Sequence, residues 1–438
     1  MEKVLFDKAT ILYCAENTDA FSVISRGHLV VDDGIISLIG EGEANTEQKE
    51  GCRVIDAEDL ILMPGLVNTH GHAAMTLLRS YADDLPLMQW LQEKIWPIEA
   101  KLTDEHFYWG TLLSIVEMLR SGTTTFTDMY FGMEQVARAA QESGIRAVIS
   151  QGLFGLTDMK HQFLKDSEEL IKNWHGANNG RISVILGPHA PYTCPPDYLE
   201  DVMAQSKEYS LPLQIHLSES RGEVENFKEN YGKTPVKHLA EIGFMDRPVL
   251  AAHCVHLEAE DLDILAEKEV GVSHNPGSNL KLGSGIAPLK QMLERGIKVG
   301  LGTDGASSNN NLDMFEEMRL AALLPKGLHE DPTLIPASRA LEMATSAGAE
   351  ILFQEKLGRI KTGCRADIIG INKSSPRLMP LHNITSNLVY SATGGDVEMV
   401  MVDGRLLMEK GELLTLDEEK IRHQSQKMVD QLLEMVST

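Results

Sequence analysis

The stretch that decides the fold runs from residue 61 to residue 72 and reads Ile61-Leu62-Met63-Pro64-Gly65-Leu66-Val67-Asn68-Thr69-His70-Gly71-His72. The apolar run predicts a β-strand, and the two histidines follow at its end. Side chains two positions apart in an extended chain point to the same side. Two imidazoles aimed together suit a transition metal. Taken alone, an H-G-H pattern favours two polar loop residues over a metal site, and the rest of the chain reverses that preference.

Seven further apolar runs follow this first strand, separated by longer stretches of helical character such as residues 107–120 and 133–142. The runs comprise residues 123–127, 147–150, 182–186, 213–215, 249–252, 270–273 and 298–301. Strands that alternate with helices predict a parallel sheet. Eight such units predict an α/β fold of the TIM-like (β/α)8 barrel type.

Each of the eight runs ends near a polar or ionisable residue. These residues are His70, Asp128, Gln151, His189, His216, His253, His274 and Asp304. The carboxyl ends of barrel strands meet on one face, and active sites of this fold lie on that face. Strands that simply end where polarity begins would show mixed residues, and would not show histidine at five of the eight ends. The pattern therefore predicts a functional site.

Both ends of the chain predict β structure. Asp33-Gly34 and Asp403-Gly404 each lie between two apolar runs, which is the signature of a tight hairpin. We expect a small β-sandwich formed by residues 1–61 and 358–415 around a barrel of residues 62–357. Residues 416–438 would form a C-terminal helix, with Ile421, Met428, Leu432 and Met435 along one side. Two unrelated surface hairpins are the alternative to the shared β-domain.

Composition excludes several classes of partner. The formal net charge of the 438 residues is -24, and a surface of that sign repels the phosphate backbone of nucleic acids. The five cysteines are scattered and form no C-x-x-C pair, which favours a reducing compartment. The first residues lack the apolar core of a signal peptide, and no stretch has the length of a membrane span. We expect a cytoplasmic, soluble protein that forms homo-oligomers.

We predict four metal ligands, namely His70, His72, His216 and Asp304. Three imidazoles and a carboxylate favour one divalent transition metal per subunit, zinc first and iron(II) second, over magnesium or calcium. Such an ion lowers the pKa of a bound water from about 15.7 to about 7. The run 182–187 contains no lysine, so a lysine-bridged centre with two metals is not expected.

Glu219 is the predicted acid–base residue, because it follows His216 by three positions at the mouth of the fifth strand. It would take a proton from water and pass it to the substrate. An ordinary solvated loop glutamate is the alternative. His253 is expected to stabilise charge on the reaction intermediate, and Asp304 to relay a proton as well as hold the metal. His189 and His274 are expected either to line the pocket or to be structural.

With these residues in place, the chain resembles the amidohydrolase superfamily. The matching segments are residues 64–72, His216 with Glu219, residues 252–254 and residues 300–305. The resemblance implies a metal-dependent hydrolase with a (β/α)8 barrel and a small β-sandwich. Within the superfamily, residues 87–91, 96–99, 273–276 and 278–282 are most similar to the 5-methylthioadenosine/S-adenosylhomocysteine deaminases and the related 5'-deoxyadenosine deaminases.

The resemblance also implies roles in substrate binding. Glu99 matches a glutamate that binds the ribose hydroxyls, and His189 matches a histidine that contacts the substrate, as Glu219 and Asp304 also would. Gln151 stands where many members have an arginine that holds the 5' side of the substrate. Without that cation a homocysteine carboxylate loses a charge-assisted partner. The sequence therefore favours uncharged 5' groups, as in methylthioadenosine, 5'-deoxyadenosine or adenosine.

These observations predict hydrolytic deamination of an adenosine-type nucleoside to the inosine-type product and ammonia. Guanine deaminase and triazine amino- or chlorohydrolase are the alternatives on the same scaffold. A metal-free scaffold protein of the same fold is the alternative outside catalysis.

Overall fold

A computed structural model describes residues 2–14, 20–158 and 161–437. Its strands are β1 (Val4–Cys14), β2 (Phe21–Asp32), β3 (Ile35–Glu41), β4 (Arg53–Asp56), β5 (Leu60–Pro64), β6 (Leu66–Asn68), β7 (Thr123–Tyr130), β8 (Arg146–Leu153), β9 (Ile182–Val184), β10 (Gly187–Pro188), β11 (Leu213–Leu217), β12 (Val249–His253), β13 (Gly271–His274), β14 (Val299–Leu301), β15 (Ile368–Asn372), β16 (Val397–Val402), β17 (Arg405–Glu409) and β18 (Glu412–Leu413).

The helices before the middle of the barrel are α1 (Thr46–Lys49), α2 (Leu87–Trp90), α3 (Trp96–Glu99), α4 (Asp104–Arg120), α5 (Met133–Ser143), α6 (Gln162–Trp174), α7 (Ala177–Gly180), α8 (Pro196–Tyr209), α9 (Arg221–Tyr231) and α10 (Pro235–Glu241). Those after it are α11 (Ala259–Glu267), α12 (Pro276–Lys281), α13 (Leu289–Glu294), α14 (Ala306–Asn309), α15 (Met314–His329), α16 (Ala337–Met343), α17 (Ser346–Ile351), α18 (Ile384–Tyr390) and α19 (Glu418–Ser437). Short 3₁₀ turns cover Ala73–Leu78, Phe244–Asp246 and Gly394–Asp396.

The first and last strands of the chain form one nine-stranded sheet. Its order is β18-β17-β16-β15-β5-β1-β2-β3, and β4 pairs with the first half of β1. Both predicted hairpins are present, and their Asp-Gly turns have positive φ at both positions, as a two-residue turn of this hand requires. The β-domain built from both ends of the chain is therefore confirmed. The domain boundaries stay a prediction, and β5 crosses the first of them because it pairs with β1 and β15.

The eight predicted barrel strands are present, with β9 and β10 together forming the fourth. Neighbours pair in parallel from β6 to β10 and from β11 to β14. Hydrogen bonds complete the circle. Between the fourth and fifth strands, Leu186 O accepts a hydrogen bond from Gln214 N at 2.8 Å. Between the eighth strand and the first, Leu301 O accepts a hydrogen bond from Thr69 N at 2.9 Å. The predicted (β/α)8 barrel is confirmed.

The C-terminal helix α19 packs on α4 on the outside of the barrel. Ile421, Met428 and Leu432 are buried along one side, as predicted. Met435 was expected on the same side, but it is 43% exposed. No helix in the described part of the chain has the length and apolar character needed to cross a bilayer.

A buried ion pair ties the barrel to the β-domain. Arg146, the first residue of β8, donates to both carboxylate oxygens of Asp367 at 2.8 and 3.0 Å and to Asp403 at 3.3 Å. All three side chains are buried. Because the guanidinium neutralises two carboxylates taken out of water, its removal leaves uncompensated charge between the two units.

Replacing Arg146 with methionine is therefore expected to lower the free energy of unfolding by about 3–5 kcal/mol. Arg295→Met is the matched control, since Arg295 pairs with Asp263 on the surface and such pairs contribute about 0–1 kcal/mol. Urea unfolding followed by circular dichroism measures both. Equal losses in the two variants would contradict a special role for the buried pair.

Candidate metal centre and active site

The structure brings the four predicted ligands together at the carboxyl ends of the barrel strands. Oδ1 of Asp304 lies 3.1 Å from Nε2 of His72 and 3.5 Å from Nε2 of His70. Nε2 of His216 lies 3.4 Å from Nε2 of His72. The ligand atoms of His70, His72 and Asp304 all fall within 4.8 Å of one another. Residues more than 200 positions apart thus converge on one point.

Two strand-end residues reach the centre through an unusual backbone conformation. His253 and Asp304 have φ values of 73° and 61°, in the left-handed region that non-glycine residues seldom adopt. The positive φ directs each side chain towards the centre of the site. In a continued extended strand, successive side chains would instead point to alternating sides. Hydrogen bonds fix Asp304 in place, because its carboxylate accepts from Gly305 N at 2.8 Å and from the hydroxyls of Ser278 and Ser308 at 2.6 and 3.0 Å. Such strain is typical of functional sites.

Backbone carbonyls orient two of the imidazoles. Nδ1 of His72 lies 2.6 Å from Met129 O, and Nδ1 of His216 lies 2.7 Å from His189 O. A carbonyl only accepts, so each Nδ1 carries a hydrogen and each Nε2 presents its lone pair to the centre. Within the described residues, the buried Nε2 of His70 has no hydrogen-bond partner. Lone pairs directed at one point beside a carboxylate fit a divalent transition metal.

The pKa values agree with this assignment. Burial lowers the pKa of His70 to about 4, and burial together with neighbouring imidazoles holds the pKa of His216 well below its usual value, so both rings are neutral ligands. Burial also opposes charge on His72, but the Asp304 carboxylate outweighs it and raises the pKa of His72 to about 9. The centre therefore attracts one positive charge, which a metal ion can supply in place of a proton.

Glu219 lies inside the site, so the alternative of a solvated loop glutamate is wrong. Its side chain is buried, its Oε2 lies 3.9 Å from Nε2 of His253, and its Oε1 accepts from the hydroxyl of Ser284 at 3.4 Å. Burial raises the pKa of Glu219, with smaller contributions from the surrounding charges. A carboxyl group that holds its proton more firmly is suited to acid–base work near neutral pH.

Two residues that the sequence reasoning missed hold these groups in place. The carboxylate of Glu223 accepts from the backbone N–H groups of Ser218 and Glu219, both at 2.9 Å. Oδ1 of Asn279 lies 2.9 Å from Nδ1 of His253 and orients that ring. Ser220 and Glu223 have the spacing of a helix-capping pair, so a search for capping signals would have found Glu223.

Asp128, noted only as a strand end, supports the loop that carries the first two histidines. Its Oδ2 accepts from Ala73 N at 3.2 Å, directly after His72. Burial raises the pKa of Asp128 to about 7. The second strand thus positions the ligands of the first without contributing a ligand of its own.

A cavity opens above the cluster. The ionisable residues of its lining next to the cluster are His72, His189, His216, Glu219, His253 and Asp304. The rest of the wall is mostly apolar and aromatic, formed by Met75, Leu87, Trp90, Leu91, Trp96, Met129, Phe131, Phe154, Tyr192 and Leu282, with Glu99 and Tyr130 on one side. No lysine or arginine lines the cavity among the described residues. The segment 87–99, two short helices joined by a π-helical turn, supplies five of the lining residues.

The structure does not bring two strand-end residues into the cavity. Gln151 was expected to contact the substrate, but its amide donates to Gly152 O at 3.3 Å, and its side chain lines a separate groove with Phe131 and Phe163. Adjacent strand residues face opposite sides, and here Gly152 faces the cavity. His274 is buried and is not among the residues that line the described cavity. This position favours a structural role for His274 over a role in the pocket.

Known proteins with a similar sequence or fold point to one family. The sequence pattern of the amidohydrolase family matches residues 61–407. A 5-methylthioadenosine/S-adenosylhomocysteine deaminase from Dictyoglomus thermophilum is 56% identical over 380 residues, which is 87% of this chain and 89% of that protein. One from Syntrophomonas wolfei is 52% identical over 421 residues, 96% of each chain.

Among solved structures, the crystal structure of an adenosine deaminase from Xanthomonas campestris with bound zinc matches with a TM-score of 0.91. The two proteins are 32% identical, and the match covers 98% of both chains. The resemblance predicted from the motifs is thereby confirmed over nearly the whole length. The chain belongs to the amidohydrolase family of hydrolases.

Proposed function

We propose that the protein is a metal-dependent deaminase of adenosine-type nucleosides, with 5-methylthioadenosine as the preferred substrate. It would replace the 6-amino group by oxygen and release the inosine-type product and ammonia. The observation that carries the proposal is the presence, in the lining of one cavity, of metal-ligand residues, the buried acid Glu219 and a second carboxylate, that of Glu99. The 56% identical relative named as a 5-methylthioadenosine/S-adenosylhomocysteine deaminase supports it.

His70, His72, His216 and Asp304 would hold one divalent ion. Zinc suits three imidazoles and a carboxylate, and iron(II) is the second choice. When bound, the ion supplies Lewis acidity that brings the pKa of a coordinated water from about 15.7 to about 7. The adenosine deaminase that matches in fold is itself described with bound zinc.

The side chains around the cluster would then manage protons and charge. Glu219 delivers a proton to the ring nitrogen of the adenine, which makes the neighbouring C6 more electrophilic. Nε2 of His253 faces the same space and stabilises the charge that develops on the tetrahedral carbon's oxygen. Asp304 relays a proton to the departing amine, so that it leaves as ammonia. Water and the nucleoside together account for every atom of the two products.

Glu99 would recognise the ribose, and His189, which lines the same cavity, would contact the base or the sugar. A carboxylate accepts hydrogen bonds from two neighbouring hydroxyls. Guanine and the triazines carry no sugar, so they would leave the half-buried carboxylate of Glu99 without a partner from the ligand. This is the feature that favours a nucleoside over those two alternatives.

The remaining wall favours an uncharged 5' group. Apolar and aromatic side chains line it, and within the described residues no cation faces a carboxylate placed there. Leaving a buried polar group without a partner costs about 1–3 kcal/mol, and leaving a charged group without one costs more.

A panel of substrates tests this assignment. With purified enzyme reconstituted with zinc, ammonia release is expected from methylthioadenosine, 5'-deoxyadenosine and adenosine. S-adenosylhomocysteine is expected to be slower in kcat/KM by about 10- to 100-fold. Guanine and melamine should release no ammonia above background. Turnover of guanine or melamine without turnover of any adenosine derivative would refute the proposal, and equal rates with S-adenosylhomocysteine would refute only the 5' preference.

A further inference from the structure

Glu99 has a single side-chain partner among the described residues. The hydroxyl of Tyr130, the last residue of β7, donates a hydrogen bond to Oε1 of Glu99, the last residue of α3. Both side chains line the cavity, and Tyr130 is buried. One oxygen of the carboxylate is thus occupied by the protein, and the second is left for a ligand.

The bond joins two different parts of the molecule. Tyr130 belongs to the barrel, whereas Glu99 ends the segment 87–99, which lies outside the barrel and forms much of the cavity wall. This segment is otherwise held by Trp90, Ile95 and Ile98, which are buried in the apolar core. Apolar packing fixes the position of the segment, but it does not fix the rotation of the Glu99 carboxylate at its end. The hydrogen bond from the Tyr130 phenol fixes that rotation.

Tyr130 is also suited to remain a donor. Burial and the nearby Glu99 carboxylate raise the pKa of Tyr130 well above its usual value, so the phenol keeps its proton. In turn, the hydrogen bond opposes the effect of burial, which raises the pKa of Glu99. The hydrogen bond from Tyr130 thus favours the charged form of the Glu99 carboxylate, the form in which both oxygens accept.

We propose that Tyr130 is a positioning residue that sets the preference of this site for ribose over sugars without hydroxyl groups. By fixing one oxygen of Glu99, it aims the other at the vicinal hydroxyls of the substrate. The inference rests on the proposed function, since it takes the substrate to be a nucleoside. Tyr130 does not touch the reacting atoms, so its removal should change substrate affinity more than turnover.

The experiment compares Tyr130→Phe with the wild-type enzyme. Three quantities are measured: kcat and KM for methylthioadenosine, and inhibition constants of adenosine and of 2',3'-dideoxyadenosine against methylthioadenosine turnover. Loss of the bond is expected to raise the KM and the adenosine constant by about 10-fold, with kcat changed by less than about threefold. The constant for 2',3'-dideoxyadenosine should stay within about twofold, because that sugar offers nothing to Glu99. An unchanged value there also shows that the variant is folded.

Two further variants sharpen the test. Tyr108→Phe removes the same kind of bond, from a phenol to Glu142 on the outside of the barrel, and should change nothing. In a Glu99→Ala background, Tyr130→Phe should have no additional effect on the adenosine constant. Equal losses for adenosine and 2',3'-dideoxyadenosine, or an additional loss without Glu99, would overturn the inference. Failure of the wild-type enzyme to deaminate any adenosine derivative would instead overturn the proposed function.

Discussion

Replacing Glu219 with glutamine is expected to lower kcat by about 10²- to 10⁴-fold, the usual contribution of a positioned acid–base group. The amide keeps the size of the side chain and can still accept from the Ser284 hydroxyl, but it cannot deliver or take up a proton. Glu219 is not among the residues that cluster as metal ligands, so metal content should be unchanged. KM should change little, because the contact that is lost acts mainly on the reacting ring nitrogen.

Ammonia release measures the rate, and elemental analysis of the same preparation measures the metal. Glu225→Gln is the matched control, since Glu225 lies six residues later on α9 and faces solvent. Turnover by Glu219→Gln close to that of the wild type would show that the proton travels by another route. Loss of metal from Glu219→Gln would show that Glu219 is a metal ligand. The loss of activity would then be explained by the lost metal and would no longer support an acid–base role.

The strand ends show why the sequence predicted which face of the barrel carries the site, but predicted less well which strand-end side chains enter the cavity. His253 and His274 both close an apolar run and look alike in sequence. In the structure, His253 has positive φ and enters the cavity, whereas His274 lies outside the described cavity lining. A left-handed residue is a local consequence of tertiary packing, and a histidine in sequence carries no sign of it. Apolar runs therefore locate the strand end, but the rotation of its last residue requires the fold.

Gln151 shows the same limit in another form. The strand was predicted to end at this position, but β8 continues through Gly152 to Leu153. Neighbouring residues of a strand face opposite sides, so Gly152 faces the cavity and Gln151 faces away from it. Glu223, Asn279 and Tyr130 were missed for a related reason. Each acts on a functional residue through a tertiary contact or a turn, and only the capping pair of Ser220 and Glu223 has a signature in the sequence.

Replacing His216 with alanine is expected to remove the metal from the protein and, with it, all measurable deamination. His216 is the ligand that the fifth strand contributes beside the two histidines of the first strand. A hydrogen bond from its Nδ1 to His189 O holds the ring in place. Without its lone pair, two imidazoles and one carboxylate remain. A positively charged ion in a buried site then loses a quarter of its protein donors. Loss of water activation alone corresponds to about nine pKa units of the bound water, so no side chain in the cavity can compensate.

Metal content and ammonia release are measured on protein expressed in medium containing both zinc and iron. The wild type should contain close to one ion per chain, should lose activity with a chelator and should regain it with zinc. His274→Gln is the control, because it changes a buried strand-end histidine outside the described cavity lining. If His216→Ala keeps its metal and its activity, the cluster at the strand ends is not the metal centre. If the wild type binds no metal from this medium, the result would favour the alternative of a metal-free scaffold protein of the same fold.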